Sequence, residues 1–138
     1  MKRALLLSSA FSLIFAGAAM AQTASPEGAK VYFIAPANGA EVSSPVTVQF
    51  GLSGMGVAPA GVEKAKTGHH HLLINQKLED YSAPIPADDT HKHFGGGQTE
   101  TTIELKPGKH TLQLILADQN HIPHAPPVQS EVITITVK

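Results

Sequence analysis

Residues 46–52, Val-Thr-Val-Gln-Phe-Gly-Leu, alternate apolar residues with polar or small ones at a period of two. Successive side chains of a β-strand point to opposite faces, so Val46, Val48 and Phe50 share one face. This pattern predicts a strand that buries one face in a hydrophobic core.

The same period recurs along the chain after residue 30. Glycine-rich residues 53–68 and proline-containing residues 77–90 are predicted as long irregular connections. No stretch shows a helical apolar stripe of useful length. Short strands with a turn about every ten residues predict an all-β fold, an antiparallel immunoglobulin-like β-sandwich of about seven strands. Besides residues 46–52, strands are predicted at residues 31–34, 70–75, 99–105, 110–117 and 128–137.

The first 21 residues have the three parts of a secretory signal peptide. Lys2 and Arg3 form a positive start, residues 4–18 are uncharged and mostly apolar, and Ala19-Met20-Ala21 is a small-x-small cleavage pattern. We therefore expect cleavage after Ala21 and a periplasmic location. No later apolar run reaches the roughly 18 residues that a membrane helix needs, so no membrane span is expected.

The 117 residues after the predicted cleavage point fit one domain. Residues 22–30 are predicted as a flexible leader, and residues 31–138 as a single β-sandwich domain. Residues 22–138 contain eight lysines, no arginine and eleven acidic residues, a formal charge of −3. Nucleic acid is not an expected partner, because phosphate recognition depends on clustered Lys and Arg. The lack of cysteine excludes disulfides, thiolate metal sites and cysteine nucleophiles.

Histidine is the residue in excess, and all eight lie between His69 and His124. His69 and His71 are predicted on one face of a strand, and His70 on the other. Imidazoles at i and i+2 on a strand are about 7 Å apart at Cα, within reach of one metal ion. A polar strand edge, whose imidazoles bond to loops or water, is the open alternative.

Two more histidine pairs follow. His91 and His93 repeat the i, i+2 spacing just before a glycine-rich segment, and His121 and His124 flank a proline in a loop. His110 opens a strand after a Pro-Gly turn and is predicted to be structural.

Three histidine groups in one small domain predict a metal site at one end of the sandwich. Imidazole ligands without thiols favour Cu²⁺ or Zn²⁺. Asp88, Asp89 and Asp118 are interpreted as turn residues, with a ligand or orienting role as the alternative. No serine-histidine-acid arrangement or other catalytic pattern is recognisable, so an enzyme is not expected; a metalloenzyme, which would need an open coordination position and a substrate pocket, is the open alternative. The predicted ligands are His69, His71, His93 and His121, with His124 the next candidate.

Four segments carry a resemblance to a known family: Gly68–Ile74, His93–Glu100, Pro107–Leu114 and Asp118–Val128. The resemblance extends from about Pro36 to the C-terminus. The DUF4399 type, which these segments resemble, comprises small exported bacterial proteins with a domain of unknown function. The resemblance implies a single exported domain. It ranks His91 below His93 as a ligand and weakens the structural interpretation of His110. The signature histidines of the family correspond to His69, His70, His71, His93, His110, His121 and His124.

Two hypotheses of different classes follow. The first is a periplasmic metal-binding protein that carries or buffers Cu²⁺ or Zn²⁺. The second is a non-metal immunoglobulin-like interaction module whose histidine-bearing loops bind a protein or cell-envelope partner. Another periplasmic protein is a candidate partner in both.

Overall fold

The computed structural model describes residues 21–138, so the predicted signal peptide lies outside it except for Ala21. Within this range the chain forms nine strands and no helix, and therefore no helix with the length and apolar character needed to cross a membrane. The strands are β1 (Lys30–Ala35), β2 (Glu41–Val42), β3 (Val46–Ser53), β4 (Gly56–Val57), β5 (Thr67–Ile74), β6 (His91–His93), β7 (Glu100–Ile103), β8 (Gly108–Ala117) and β9 (Ile133–Val137).

The strands form two sheets. A three-stranded sheet has the order β1-β3-β7, and a six-stranded sheet has the order β2-β9-β8-β5-β4, with β6 also paired to β5. The longer strands pair antiparallel, whereas the two-residue strands β2 and β4 pair in parallel with β9 and β5. The predicted antiparallel β-sandwich is confirmed, with β2, β4 and β6 added to the strands expected from the sequence.

A hydrophobic core fills the space between the sheets. Val46, Val48 and Phe50 of β3 belong to it together with Leu72 of β5 and Leu114 of β8. All five side chains are at most 3% exposed. Burying a side chain of this size contributes roughly 1.5–3 kcal/mol. The one-sided burial predicted for residues 46–52 is confirmed.

A second, smaller cluster lies on the outer face of the six-stranded sheet. Leu73 of β5 and Ile115 of β8 face away from the main core and pack with Ile85 from the connection between β5 and β6. This long connection therefore buries the outer face of β5 as well. His69 and His71 lie on that same outer face, because residues two apart on a strand share a face and His69, His71 and Leu73 are spaced in this way.

The last strand is shorter than predicted. Residues 128–130 bond to β8, since Ser130 N donates to Leu114 O. The hydroxyl of Ser130 also accepts a hydrogen bond from Leu114 N. Between this stretch and β9 the register against β8 shifts by one residue, and Val132 is half exposed at the break. The sequence carries a trace of this irregularity, because the adjacent apolar residues Val132 and Ile133 interrupt the period of two.

The first described residues contact the domain. Ala125 N donates to Thr23 O, and Ser25 N donates to Ala125 O. The segment predicted as a flexible leader thus has main-chain partners at its start, and its last residue, Lys30, begins β1.

Candidate metal centre

Four of the five predicted ligands meet at one point. His69, His71, His93 and His121 each place one ring nitrogen so that the four nitrogens lie within 4.8 Å of one another. In a tetrahedral site with metal–nitrogen bonds of 2.0–2.1 Å, ligand nitrogens are about 3.3 Å apart. The cluster, named here the four-histidine cluster, could therefore hold one metal ion.

Strand pairing places three of the four candidate ligands. His69 and His71 stand two apart on the outer face of β5. His93 on β6 lies directly opposite His71, and residues directly opposite each other share a face of the sheet. The ring centroids of His93 lie 5.1 Å from those of both His69 and His71.

A glycine after β6 makes room for the His93 imidazole. A Cβ at Gly95 would overlap that ring. Gly95 O accepts a hydrogen bond from Ala60 N, and the next amide, Gly61 N, donates to Gln119 O. The turn at Ala60 and Gly61 thus links the segment after His93 with the segment before His121.

His121 comes from a loop, and a buried aspartate shapes that loop. Asp118 is 2% exposed. Its Oδ1 accepts hydrogen bonds from Asn120 N at 2.9 Å and Ile122 N at 3.1 Å. Its Oδ2 accepts one from Thr23 Oγ1 at 2.7 Å. His121 adopts a φ of 64° inside this turn, a left-handed conformation that is uncommon for a residue with a side chain.

The ring nitrogens at the centre of the cluster lie so close together that hydrogen bonds between neutral imidazoles cannot satisfy all of them. His69 Nε2 lies 2.9 Å from His71 Nε2 and 3.1 Å from His121 Nδ1. A neutral imidazole nitrogen is either a donor or an acceptor, so His69 Nε2 cannot serve both neighbours well with one hydrogen or one lone pair. A cation between the rings would accept a lone pair from each of them.

Burial favours the neutral form of the imidazoles of His69, His71 and His93, because it lowers their pKa. Burial, together with the charge that nearby His69, His93 and His121 can carry, lowers the pKa of His71 to about 2. Burial also lowers the pKa of His69 to about 4, and it lowers the pKa of His93. Neutral imidazole is the form that binds metal ions.

The cluster is closed on one side and open on the other. His69 and His71 are about 1% exposed, whereas His121 is half-buried and His93 is exposed. The two strand ligands of β5 form a floor, and the other two form a rim that solvent reaches. Such a site gives an ion an entry path.

His124, the fifth predicted ligand, lies outside the four-histidine cluster. It is buried, and its Cε1 would be 2.9 Å from a Cβ built at Gly68. Gly68 precedes His69 and therefore faces the opposite side of β5. His121 and His124 share one loop, but the turn at Asp118 directs only His121 to the cluster.

His70 faces the core between the sheets, as predicted. Its ring centroid is 5.0 Å from that of Phe50. Within the described chain neither of its ring nitrogens has a hydrogen-bond partner. Burial lowers the pKa of His70 to about 4.

The remaining histidines support turns. His110 Nε2 donates to Lys106 O at 2.7 Å, and its Nδ1 accepts from Asn75 at 2.9 Å. His91 Nδ1 lies 2.8 Å from Asp88 Oδ1. Both histidines lie outside the cluster, which agrees with the lower rank of His91 and with the first, structural interpretation of His110.

Of the residues that surround the two rim histidines, Asp118 was interpreted from the sequence as a turn residue with an orienting role as the alternative, whereas Gly95 and Thr23 were not singled out. Gly95 was visible only as one of three glycines that permit a close backbone approach. Asp118 gave a weak signal, because an Asp side chain often accepts a hydrogen bond from the backbone N–H two residues later and so forms an Asx turn. Thr23 gave none.

Comparisons with known proteins give a family and little else. The profile of the family described as "Domain of unknown function (DUF4399)" matches residues 48–138, which include all four cluster histidines. No curated protein matches the chain in sequence. One similar solved structure is "X-ray structure of the endo-beta-1,4-mannanase from Thermotoga petrophila", with 17% identity and a TM-score of 0.45 over 80% of this chain and 20% of that chain. This chain thus spans about a fifth of the mannanase chain.

Proposed function

The chain belongs to the DUF4399 family, and we propose that it is a periplasmic protein that carries or buffers Cu²⁺ or Zn²⁺ at the four-histidine cluster. The convergence of four ring nitrogens within 4.8 Å carries this proposal. Four of the eight histidines, which are scattered over 56 residues of sequence, would not meet at one point without a constraint that brings them together.

The donor set supports binding over catalysis. A catalytic zinc site keeps three protein ligands and leaves one position for water or substrate, whereas four protein ligands complete a tetrahedral ion. His69, His71, His93 and His121 supply four imidazoles. We therefore propose that the protein is not an enzyme.

The chemistry of the ligands limits the ion. Four imidazoles without sulfur suit Cu²⁺ and Zn²⁺ and are poor ligands for tight capture of Cu⁺. The exposed rim at His93 supports loading and release, as a carrier or buffer requires. A permanently structural ion would be better served by four buried ligands.

Export rests on the sequence of residues 1–21. A periplasmic location agrees with a chain that has no thiol to oxidise. The metal donor or recipient would then be another periplasmic protein.

The test is a titration of the chain purified without a tag after export. Chelator-treated protein is titrated with Cu²⁺ and with Zn²⁺ by calorimetry, and the melting temperature is followed in parallel. We expect one ion per chain with sub-micromolar Kd. A free ion at a hundredfold excess over Kd should raise stability by about 2.7 kcal/mol.

Two single variants provide the matched comparison. His93→Ala removes an exposed rim ligand, and we expect the affinity to fall on the order of a hundredfold or more. His91→Ala removes the histidine two residues earlier on the same strand and should leave the affinity unchanged. Weak binding of several ions without a melting shift would contradict the proposal and favour the non-metal interaction module.

A further inference from the structure

Residues 22–25, named here the strap, pair with the end of residues 118–126, named here the His121 loop. Ala125 N donates to Thr23 O at 2.9 Å, and Ser25 N donates to Ala125 O at 3.2 Å. Ala24 and Ala125 form a parallel bridge between these bonds. The strap is thus held to the loop by main-chain hydrogen bonds, as an added strand would be.

Side chains of the strap fasten the same loop at two further points. Gln22 Nε2 donates to Pro123 O at 3.2 Å and to Tyr81 O at 2.6 Å. Ser25 Oγ donates to Pro126 O at 2.7 Å. Tyr81 belongs to the connection between β5 and β6, so the strap joins two loops that border the outer face of β5.

A further side-chain hydrogen bond of the strap reaches the turn that contains His121. Thr23 Oγ1 donates to Asp118 Oδ2 at 2.7 Å, across 95 residues of sequence. The other carboxylate oxygen accepts two amides of the turn. Asp118 is 2% exposed with Thr23 in place, and a buried carboxylate depends on such hydrogen-bond partners.

The hydrogen bond between Thr23 and Asp118 is relevant to metal binding because Asp118 belongs to the turn that contains His121. His69, His71 and His93 are fixed by strand pairing, whereas His121 depends on a turn in which it adopts a φ of 64°. Geometry at a metal site depends on the groups that orient its ligands. Asp118 shapes this turn, and Thr23 completes the partners of Asp118.

We propose that the strap holds the His121 loop in the metal-binding position, with Thr23 and Asp118 as positioning residues for His121. This inference rests on the proposed metal function. In this proposal the strap contributes to metal retention, because it keeps His121, the rim ligand that lies on a loop, in place beside the ion.

The test compares four proteins: the wild type, Thr23→Val, Thr23→Ser and Thr102→Val. Thr23→Val removes the hydroxyl and keeps the branched shape, Thr23→Ser restores the hydroxyl, and Thr102→Val is the same exchange on the exposed face of β7. Each is titrated with Cu²⁺, and the bound ion is examined by electron paramagnetic resonance for the number of imidazole ligands. Amide hydrogen exchange at Asn120 and Ile122 is measured in the metal-free proteins.

We expect Thr23→Val to bind Cu²⁺ about tenfold more weakly, with one imidazole fewer and faster exchange at Asn120 and Ile122. Thr23→Ser should restore all three properties, and Thr102→Val should match the wild type. An unchanged Thr23→Val protein beside a wild type that binds would overturn the strap alone. A loss equally severe in Thr102→Val would overturn it too, as general destabilisation. A wild type that binds no ion would overturn the metal function and with it the strap's role.

Discussion

His70 and His71 are neighbours on one strand, equally buried, and differ in what their nitrogens meet. His71 Nε2 lies 2.9 Å from His69 Nε2 on the outer face of β5. His70 lies against Phe50 on the inner face, and within the described chain its ring nitrogens have no hydrogen-bond partner. Both rings are at most 1% exposed. Burial alone therefore does not identify a ligand.

The face of the strand decides the role of each histidine. On the inner face the side chain meets an apolar layer from the opposite sheet, and an imidazole there replaces an apolar side chain at a cost. On the outer face the neighbours are β6 and the His121 loop, which both contribute histidines. The same residue type is thus a core side chain at one position and a candidate ligand at the next.

The largest effect on metal binding should come from removing two imidazoles of the outer face. His71→Leu combined with His93→Ala removes one floor ligand and one rim ligand, and we expect stoichiometric binding of Cu²⁺ and Zn²⁺ to disappear in calorimetry. The melting shift on metal addition should disappear with it. His70→Leu is the control on the inner face, and an equal loss of binding in that variant would contradict the distinction between the faces.

Acid should destabilise the metal-free protein through both faces. The folded-state pKa is lowered to about 4 for His69 and His70 and to about 2 for His71, while the unfolded pKa is near 6.5. As the pH falls below 6.5 the unfolded chain binds protons that the folded chain does not, so stability decreases. We expect a loss on the order of a few kcal/mol between pH 6.5 and 4.

Urea unfolding at several pH values measures this slope. His70→Leu should reduce it by one histidine's share, and so should His71→Leu, because each removes one proton-binding difference. A stability that stays constant from pH 7 to pH 4.5 would contradict the burial of neutral imidazoles on either face.

A smaller effect is expected from crowding the rim. Gly95→Ala places a methyl group where the His93 imidazole lies, so the ring must leave its present position in the cluster. We expect the metal affinity to fall about tenfold to a hundredfold. Gly96→Ala is the neighbouring control: its Cβ would approach only the end of the flexible Gln98 side chain. Equal affinities for the two variants would show that His93 is not placed by Gly95.

The smallest effect should appear on the inner face. His70→Leu puts an apolar side chain in place of a ring whose two nitrogens lack partners. The free energy of unfolding of the metal-free protein should increase by roughly 1 kcal/mol. An unsatisfied buried polar group costs about 1–3 kcal/mol, and the closer fit of the native ring offsets part of this. Chemical denaturation at pH 7.5 measures the change, and metal affinity should stay within twofold. A large destabilisation would show that His70 has a partner essential to the fold.

Local alternation was enough to predict half of the site. The period of two in residues 69–74 placed His69 and His71 together and His70 opposite, because side-chain direction in a strand follows directly from sequence position. The same rule identified the core face of residues 46–52.

The other half depends on contacts that are distant in sequence. His93 lies on a three-residue strand, which is too short for a periodic pattern, and its direction follows from pairing with β5. His121 was ranked above His124 from the sequence, but the reason for the difference is a turn that contains His121 and depends on hydrogen bonds to Asp118. The flexible leader was predicted from small polar residues, and its partners near Ala125 lie about a hundred residues away.

The central claim is that four particular histidines of eight bind one ion. Long-range ¹H–¹⁵N NMR of the imidazoles, recorded before and after one equivalent of Zn²⁺, tests it most directly. We predict that the ring nitrogens of His69, His71, His93 and His121 shift, with His121 bound through Nδ1 and both His69 and His71 through Nε2. The resonances of His70, His91, His110 and His124 should stay in place. Shifts spread over all eight imidazoles, or confined to the exposed ones, would contradict the claim.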